Sequence, residues 1–399
     1  MGIIIGHRQG VPAVRSGRFR EFVNSFGPAW VVMIADVDAP SILTAATVGA
    51  TYSYGLIWFF LLLIPPLFVI QEASGRVGLA TGKGLGEVIR ENYSRNIALL
   101  ASLPMVVVSV VSYVAEYAGI AVGMGLLGVP PLISVPAAYI AYVGVVVWKR
   151  YLTTEKALLA VSAVLIVAYA GSLLTRGLVA SSVFIFDTNP TYFFLLAASA
   201  GAVIMPFMLF YQASATAEKK ATRLWSMRTE TLLGAFASEM GMIVITMATS
   251  GLGSSLNFAN PKELSLALSS IAGPYAPYLF AVGLVAAAFI ALVVISLGSS
   301  WAFVDAMGWR KDSFLWVYTL ESLPAVAVPI LYPSPLSLVL GLMVAFVFVL
   351  IGPGVLMGLL GSDRRIMGEY ASSRYWKTAY WACLAFVVGF GLIAVVAAF

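Results

Sequence analysis

The stretch GPAWVVMIADVDAPSILTAATVGA, residues 27–50, is apolar enough to enter a bilayer, yet it carries Asp36, Asp38 and Pro40 at its centre. A second stretch, FFLLAASAGAVIMPFMLFYQASATA, residues 193–217, is interrupted at Met205-Pro206. Lipid tolerates unwound backbone only where protein buries it or a cavity receives it. Interrupted spans at corresponding places in two halves of a chain point to the substrate site of a secondary transporter.

Composition agrees with a membrane setting. Of the 399 residues, 61% are hydrophobic and 10% charged, against about 25% charged in soluble domains. The mean hydropathy is +0.95. Runs of about 20 apolar residues recur along the chain, which predicts an all-α polytopic membrane protein lodged in a lipid bilayer. His7 and Cys383 are each the single residue of their type. That excludes an intrachain disulfide and Cys/His zinc or haem sites, so no cofactor is expected. Walker, Ser-His-Asp and HExxH patterns are absent, and a membrane enzyme is correspondingly remote. Arg8, Arg15, Arg18 and Arg20 precede the first span without an apolar leader, so no cleavable signal peptide is expected.

Hydropathy predicts eleven spans, near 28–50, 55–75, 97–122, 130–149, 157–176, 192–217, 230–251, 274–298, 313–331, 337–360 and 377–398. With the N-terminus in the cytoplasm, 21 of the 23 Lys and Arg residues fall on the inner side; only Arg176 and Lys262 fall outside. This is the positive-inside pattern. The basic balance therefore reports topology rather than nucleic acid, and no obligate protein partner is indicated. A plasma-membrane protein with an extracytoplasmic C-terminus is expected. The broken spans are the first and the sixth, so they start on opposite sides. Spans 1–5 and 6–10 then form a 5+5 inverted repeat. The expected division is a cytoplasmic segment over 1–27, a first repeat over 28–176, a second over 192–360, and an additional span over 377–398.

Ionisable residues inside the membrane are few and costly. Asp36 and Asp38 share the first break. On a regular helix residues two apart face different ways, but unwinding relaxes this, and two carboxylates with free carbonyls suit a divalent cation. The structural alternative is that one Asp caps the half-helix beginning near Pro40. For Ser41 the alternative is likewise a cap or packing role. Met205 at the opposite break offers a soft thioether, which favours transition metals over Mg2+ or Ca2+; elsewhere in a membrane helix a Met is ordinary packing. Glu116, deep in span 3, is either a proton relay or a helix–helix hydrogen bond. For Glu239 in span 7 and Glu321 in span 9 the structural hydrogen bond is the favoured reading.

Several segments, in order and spacing, resemble the Nramp divalent-metal transporters. Gly27-Pro28, Asp38 and Gly49-Ala-Thr-Tyr-Ser-Tyr-Gly55 are similar to that family's first span and turn. Ala80-Thr-Gly-Lys-Gly-Leu-Gly-Glu-Val88, Tyr113-Val-Ala-Glu116, Gly201-Ala-Val-Ile-Met-Pro206 and Ser362-Asp-Arg-Arg-Ile-Met-Gly-Glu369 extend the likeness over about 26–398. The resemblance implies a LeuT-type fold and a metal held by Asp38, Ser41 in place of the family Asn, the Ala202 carbonyl and Met205. Glu116 takes the place of the family's acidic residue in span 3. The departures are Asp36, where an aromatic is usual, and Phe207 and Gln212, where the family has histidines. Met205 favours Mn2+ or Fe2+; Asp36 and Ser41 favour a harder ion. The expectation is a secondary transporter of transition-metal dications by alternating access, with weak or absent proton coupling. Its rivals are an Mg2+ transporter of the Nramp-related type and, more remotely, an organic-solute symporter of the same fold.

Overall fold

The computed structural model describes residues 27–147, 151–219, 223–253, 256–258, 260–332 and 336–397. The cytoplasmic segment expected over 1–27 lies outside them up to residue 26, as do the basic Lys149, Arg150 and Lys220. Every regular element among the described residues is helical.

Proline decides where the first span breaks. Helices α1 (Pro28–Ala35) and α2 (Ala39–Tyr52) meet at 50°. Pro40 has no N–H for the carbonyl of residue 36, four places back, and in a continuous helix its ring would collide with that carbonyl. The chain instead passes through an extended Asp38, with φ −83° and ψ 178°. In the first turn of α2 the proline is tolerated, because N–H groups there have no helical partner anyway.

Helices α3 (Ile57–Thr81), α4 (Leu85–Asn92), α5 (Arg95–Leu126), α6 (Pro131–Val147) and α7 (Tyr151–Arg176) follow. The second broken span then repeats the logic of the first. Its halves, α8 (Pro190–Val203) and α9 (Pro206–Glu218), are separated at Ile204 and Met205. Pro206 denies the Ala202 carbonyl its donor, just as Pro40 does for residue 36. Among the described residues only the first pair bends by more than 40°.

The remaining helices are α10 (Leu224–Thr249), α11 (Pro261–Ala272), α12 (Ala276–Met307), α13 (Phe314–Ser322), α14 (Val328–Leu331), α15 (Leu336–Val349), α16 (Ile351–Leu360), α17 (Arg364–Met367) and α18 (Arg374–Ala397). The expected ninth span is α13 and α14 joined by a 3-10 segment at Leu323–Ala327, where Pro324 interrupts regular winding. Eight helices among the described residues are long and apolar enough to cross a bilayer, nine when the bent α1–α2 pair counts as one. The expected fourth and fifth spans coincide with α6 and α7, which are not among these nine; α6 has 17 residues, short of the usual ~20.

The broken spans lie at the centre of the bundle. Of the apolar window of Pro190–Glu218, 89% is buried, against 28% for α18. Helix α9 packs against α3 and α12, while α10 packs against α1, α2 and α3. The Glu72 carboxylate of α3, fully buried, pairs with Arg76 at 3.1 Å and with Arg228 of α10 at 2.8 Å. Arg76 also donates to the Tyr370 carbonyl and to Ser372 Oγ, and Arg228 stacks over Trp376 of α18. This network ties the ends of α3 and α10 to the segment leading into α18.

Candidate ion site between the two broken spans

Asp38 is the N-cap of α2. Its Oδ1 accepts from the Ser41 N–H at 2.7 Å, which satisfies one of the first-turn donors. The capping alternative is therefore realised, and it leaves Oδ2 with no hydrogen-bond donor in a residue 1% exposed. Capping fixes the orientation of the carboxyl group and keeps one oxygen available for other chemistry.

Ser41 joins the two breaks. Its Oγ donates to the Ala202 carbonyl at 3.0 Å. That carbonyl lacks its helical donor because residue 206 is proline. Three of the expected ligands, Asp38, Ser41 and Ala202, are thus in one hydrogen-bonded chain across the two spans. Met205 is the N-cap of α9, three residues beyond Ala202 and fully buried.

Glu116 approaches from α5. Its Oε2 accepts from the N–H of Ala39, the residue next to Asp38, at 3.1 Å. The close approach requires Gly119, one turn further along α5, because a Cβ there would strike the Ala39 methyl. Glu116 therefore supports the backbone of the break.

Asp36 is engaged elsewhere. Its Oδ2 accepts from Ser238 Oγ of α10 at 2.8 Å, while Oδ1 has no partner. The structural hydrogen bond expected for Glu239 is not made: neither carboxylate oxygen has a partner, and the residue is fully buried. For Glu321 the structural reading fits better, since Ser299 Oγ of α12 donates to it. Phe207 is buried at the start of α9, and Gln212 Nε2 donates to Thr231 of α10 at 3.2 Å. Among the described residues no three His, Cys, Asp or Glu side chains form one metal cluster. Any ion at this centre must draw on neutral oxygen and sulfur donors as well as carboxylate.

Sequence reasoning missed Glu230. Its Oε1 accepts from both Gly27 N–H and Trp30 N–H at 2.8 Å, so an α10 side chain caps α1. A carboxylate at a helix N-terminus is favoured by the free N–H groups and the helix dipole. Nothing local to residues 27–30 signals a partner two hundred residues away.

A cavity of about 460 Å³ lies beyond α9, lined by Lys83, Glu87, Ser214, Glu218 and Asp305 among others. It lies beside Gly82–Gly84 and the C-terminal turns of α9.

A helical bundle with two centrally buried, proline-broken spans and a carboxylate at their junction defines a membrane transporter. The match to a family model, Nramp (natural resistance-associated macrophage protein-like), covers residues 29–397. The chain belongs to the Nramp family, a family of transporters rather than enzymes. It is 25% identical over 384 residues to the divalent metal cation transporter MntH of Klebsiella pneumoniae, with 91% of each chain covered. In fold it is similar to the Eremococcus coleocola manganese transporter, solved with an aromatic bis-isothiourea substituted compound. There the TM-score is 0.78 at 16% identity, over 96% of this chain and 88% of that one. MhsT in complex with L-phenylalanine is also similar in fold, at a TM-score of 0.63 and 14% identity, over 96% of this chain and 99% of that one.

Proposed function

We propose that this protein carries transition-metal dications, Mn2+ or Fe2+, across the plasma membrane by alternating access. The observation that carries the reading is the Ser41–Ala202 hydrogen bond at 3.0 Å beside the capped Asp38. It brings a carboxyl oxygen, a hydroxyl and a proline-freed carbonyl together at the junction of the two broken spans. Asp38, Ser41, the Ala202 carbonyl and Met205 are the proposed ligands. Family membership and the metal named for the relatives support the same substrate class. The proposed architecture is eleven spans, with a 5+5 inverted repeat over 28–176 and 192–360 and a cytoplasmic N-terminus. The acidic cavity beside α9 is the inner mouth.

Proton coupling is weak or absent in this proposal. Phe207 and Gln212 cannot exchange protons at the positions where the family places histidine. The Met205 thioether makes the site soft, which sets Mn2+ and Cd2+ above Mg2+.

Uptake of Mn2+ into proteoliposomes in the presence of excess Mg2+ tests the selectivity. Wild type should resist Mg2+ at a hundredfold excess, about two decades of preference for the soft-liganded ion. Met205→Ala should lose most of that resistance while still moving Mn2+. Equal competition by Mg2+ in wild type would favour the Mg2+ reading instead.

A further inference from the structure

Residues 177–189, GLVASSVFIFDTN, run without a helix from the end of α7 to the start of α8. They connect the half of the chain that holds the first broken span to the half that holds the second. The backbone groups of such a segment must find partners in water or in protein. At Ile185 both partners are protein. Its N–H donates to the Gly55 carbonyl at 2.9 Å, in the turn that follows α2. Its carbonyl accepts from Tyr192 Oη at 2.9 Å, in the first turn of α8. One residue therefore holds the ends of two half-helices, one from each broken span.

The seating is close. A Cβ on Gly55 would lie between 2.5 and 2.8 Å from three carbons of the Ile185 side chain, so only glycine leaves room there. Two further hydrogen bonds fasten the same segment to the end of α2. Val179 N–H donates to Tyr54 Oη at 3.0 Å, and Tyr52 Oη donates to Asp187 Oδ2 at 3.3 Å. Tyr52 also meets Tyr192 edge-on, with ring centroids 5.6 Å apart. Helices α2 and α8 are thus joined at both ends. The Ser41–Ala202 bond links them at the junction, and Ile185 links them at the opposite end. Two rods tied at one end can swing apart at the other; tied at both ends they cannot.

We propose that residues 177–189 act as a clamp, with Ile185 as the positioning residue, that makes α2 and α8 move as one body during transport. The clamp rests on the reading of the junction as a transport site worked by alternating access. Packed elements change state by moving as rigid bodies against one another. If α2 swung against α8, the Ser41 hydroxyl would part from the Ala202 carbonyl, and a displacement of about 1 Å is enough to spoil a site assembled from separate elements. The clamp touches none of the proposed ligands. It acts through the two helices, and it matters while they move rather than while the ion sits at rest.

Nitroxide labels on Thr51→Cys of α2 and Thr191→Cys of α8 test this in the full chain reconstituted in liposomes, with Cys383→Ser removing the native thiol. Dipolar broadening of their spectra reports the spacing of the two helix ends. With the clamp intact, the broadening should be the same without metal and with saturating Cd2+. Tyr192→Phe keeps the ring against Tyr52 but removes the hydroxyl, and Gly55→Ala sets a methyl against Ile185. Each should reduce the broadening. In unlabelled protein each should lower the maximal rate of Mn2+ uptake about fivefold, because a conformational step is impaired. Cd2+ affinity should stay within about twofold of wild type, since no ligand is altered. Adding Ile185→Gly to Gly55→Ala clears the space for the methyl, keeps the backbone N–H and carbonyl, and should restore both spacing and rate. Unchanged broadening in both single variants, or a spacing that shifts on adding Cd2+ with the clamp intact, would overturn the clamp. So would wild-type uptake by variants whose labels have separated. Absence of Mn2+ uptake by wild type would instead overturn the transport reading, and the label spacing would still decide whether Ile185 holds the two helices together.

Discussion

Asp38 divides its two carboxylate oxygens between structure and chemistry. Oδ1 caps α2, and Oδ2 is without a donor at the junction. Glu116 makes a comparable division, with Oε2 on the Ala39 N–H and Oε1 unpartnered. A metal at Asp38 can take the unpartnered Oδ2 while Oδ1 keeps the cap on α2. Coupled transport needs a titratable route onward, and Phe207 and Gln212 do not supply one. Proteoliposomes given an Mn2+ gradient at clamped membrane potential should therefore show little internal acidification. Clear metal-driven acidification that disappears in Glu116→Gln would make Glu116 a coupling residue and reverse this conclusion.

At the scale of elements, each break is set by one proline and by the carbonyl four residues before it. Pro206→Ala supplies the missing N–H and removes the clash, so residues 202–206 can wind into a continuous helix. The Ala202 carbonyl would then be taken by its own helix and lost to Ser41. Mn2+ uptake should fall about tenfold or more, from misplacement of ligands rather than removal of any. The variant should melt close to wild type, since Pro206 lies in the first turn of α9, where proline costs a helix little. Unchanged uptake would mean that the Ala202 carbonyl plays no part. The two breaks were legible in the sequence because proline acts through local covalent geometry. So were the apolar spans, through their length and composition. The cap that Glu230 places on α1, and the hydrogen bond from Ser238 to Asp36, were not legible. They depend on which face of α10 meets the first span, and glycines at 234 and 241 determine that only once the packing exists. For the same reason the sequence does not show that the Asp36 side chain accepts from Ser238 of α10.

Over the whole molecule, the ionic contacts concentrate at one end of the bundle and the unpartnered carboxyl groups at its centre. Glu72, Arg76 and Arg228 bind α3, α10 and the approach to α18 into one unit. Around that unit α1–α2 and α8–α9 are held by apolar packing and by single hydrogen bonds, among them Gly27 and Trp30 N–H to Glu230, Ser238 to Asp36, Ala39 N–H to Glu116 and Ser41 to the Ala202 carbonyl. This distribution suits a carrier in which the broken spans move against a tied scaffold. The central claim is that a divalent metal passes through the junction and is held there by Asp38. Its most direct test is uptake of Mn2+ into proteoliposomes by wild type and by Asp38→Ala, with both proteins matched for insertion and melting temperature. The account predicts uptake by wild type and a loss to the level of protein-free vesicles in the variant. Uptake by Asp38→Ala at the wild-type rate would contradict it.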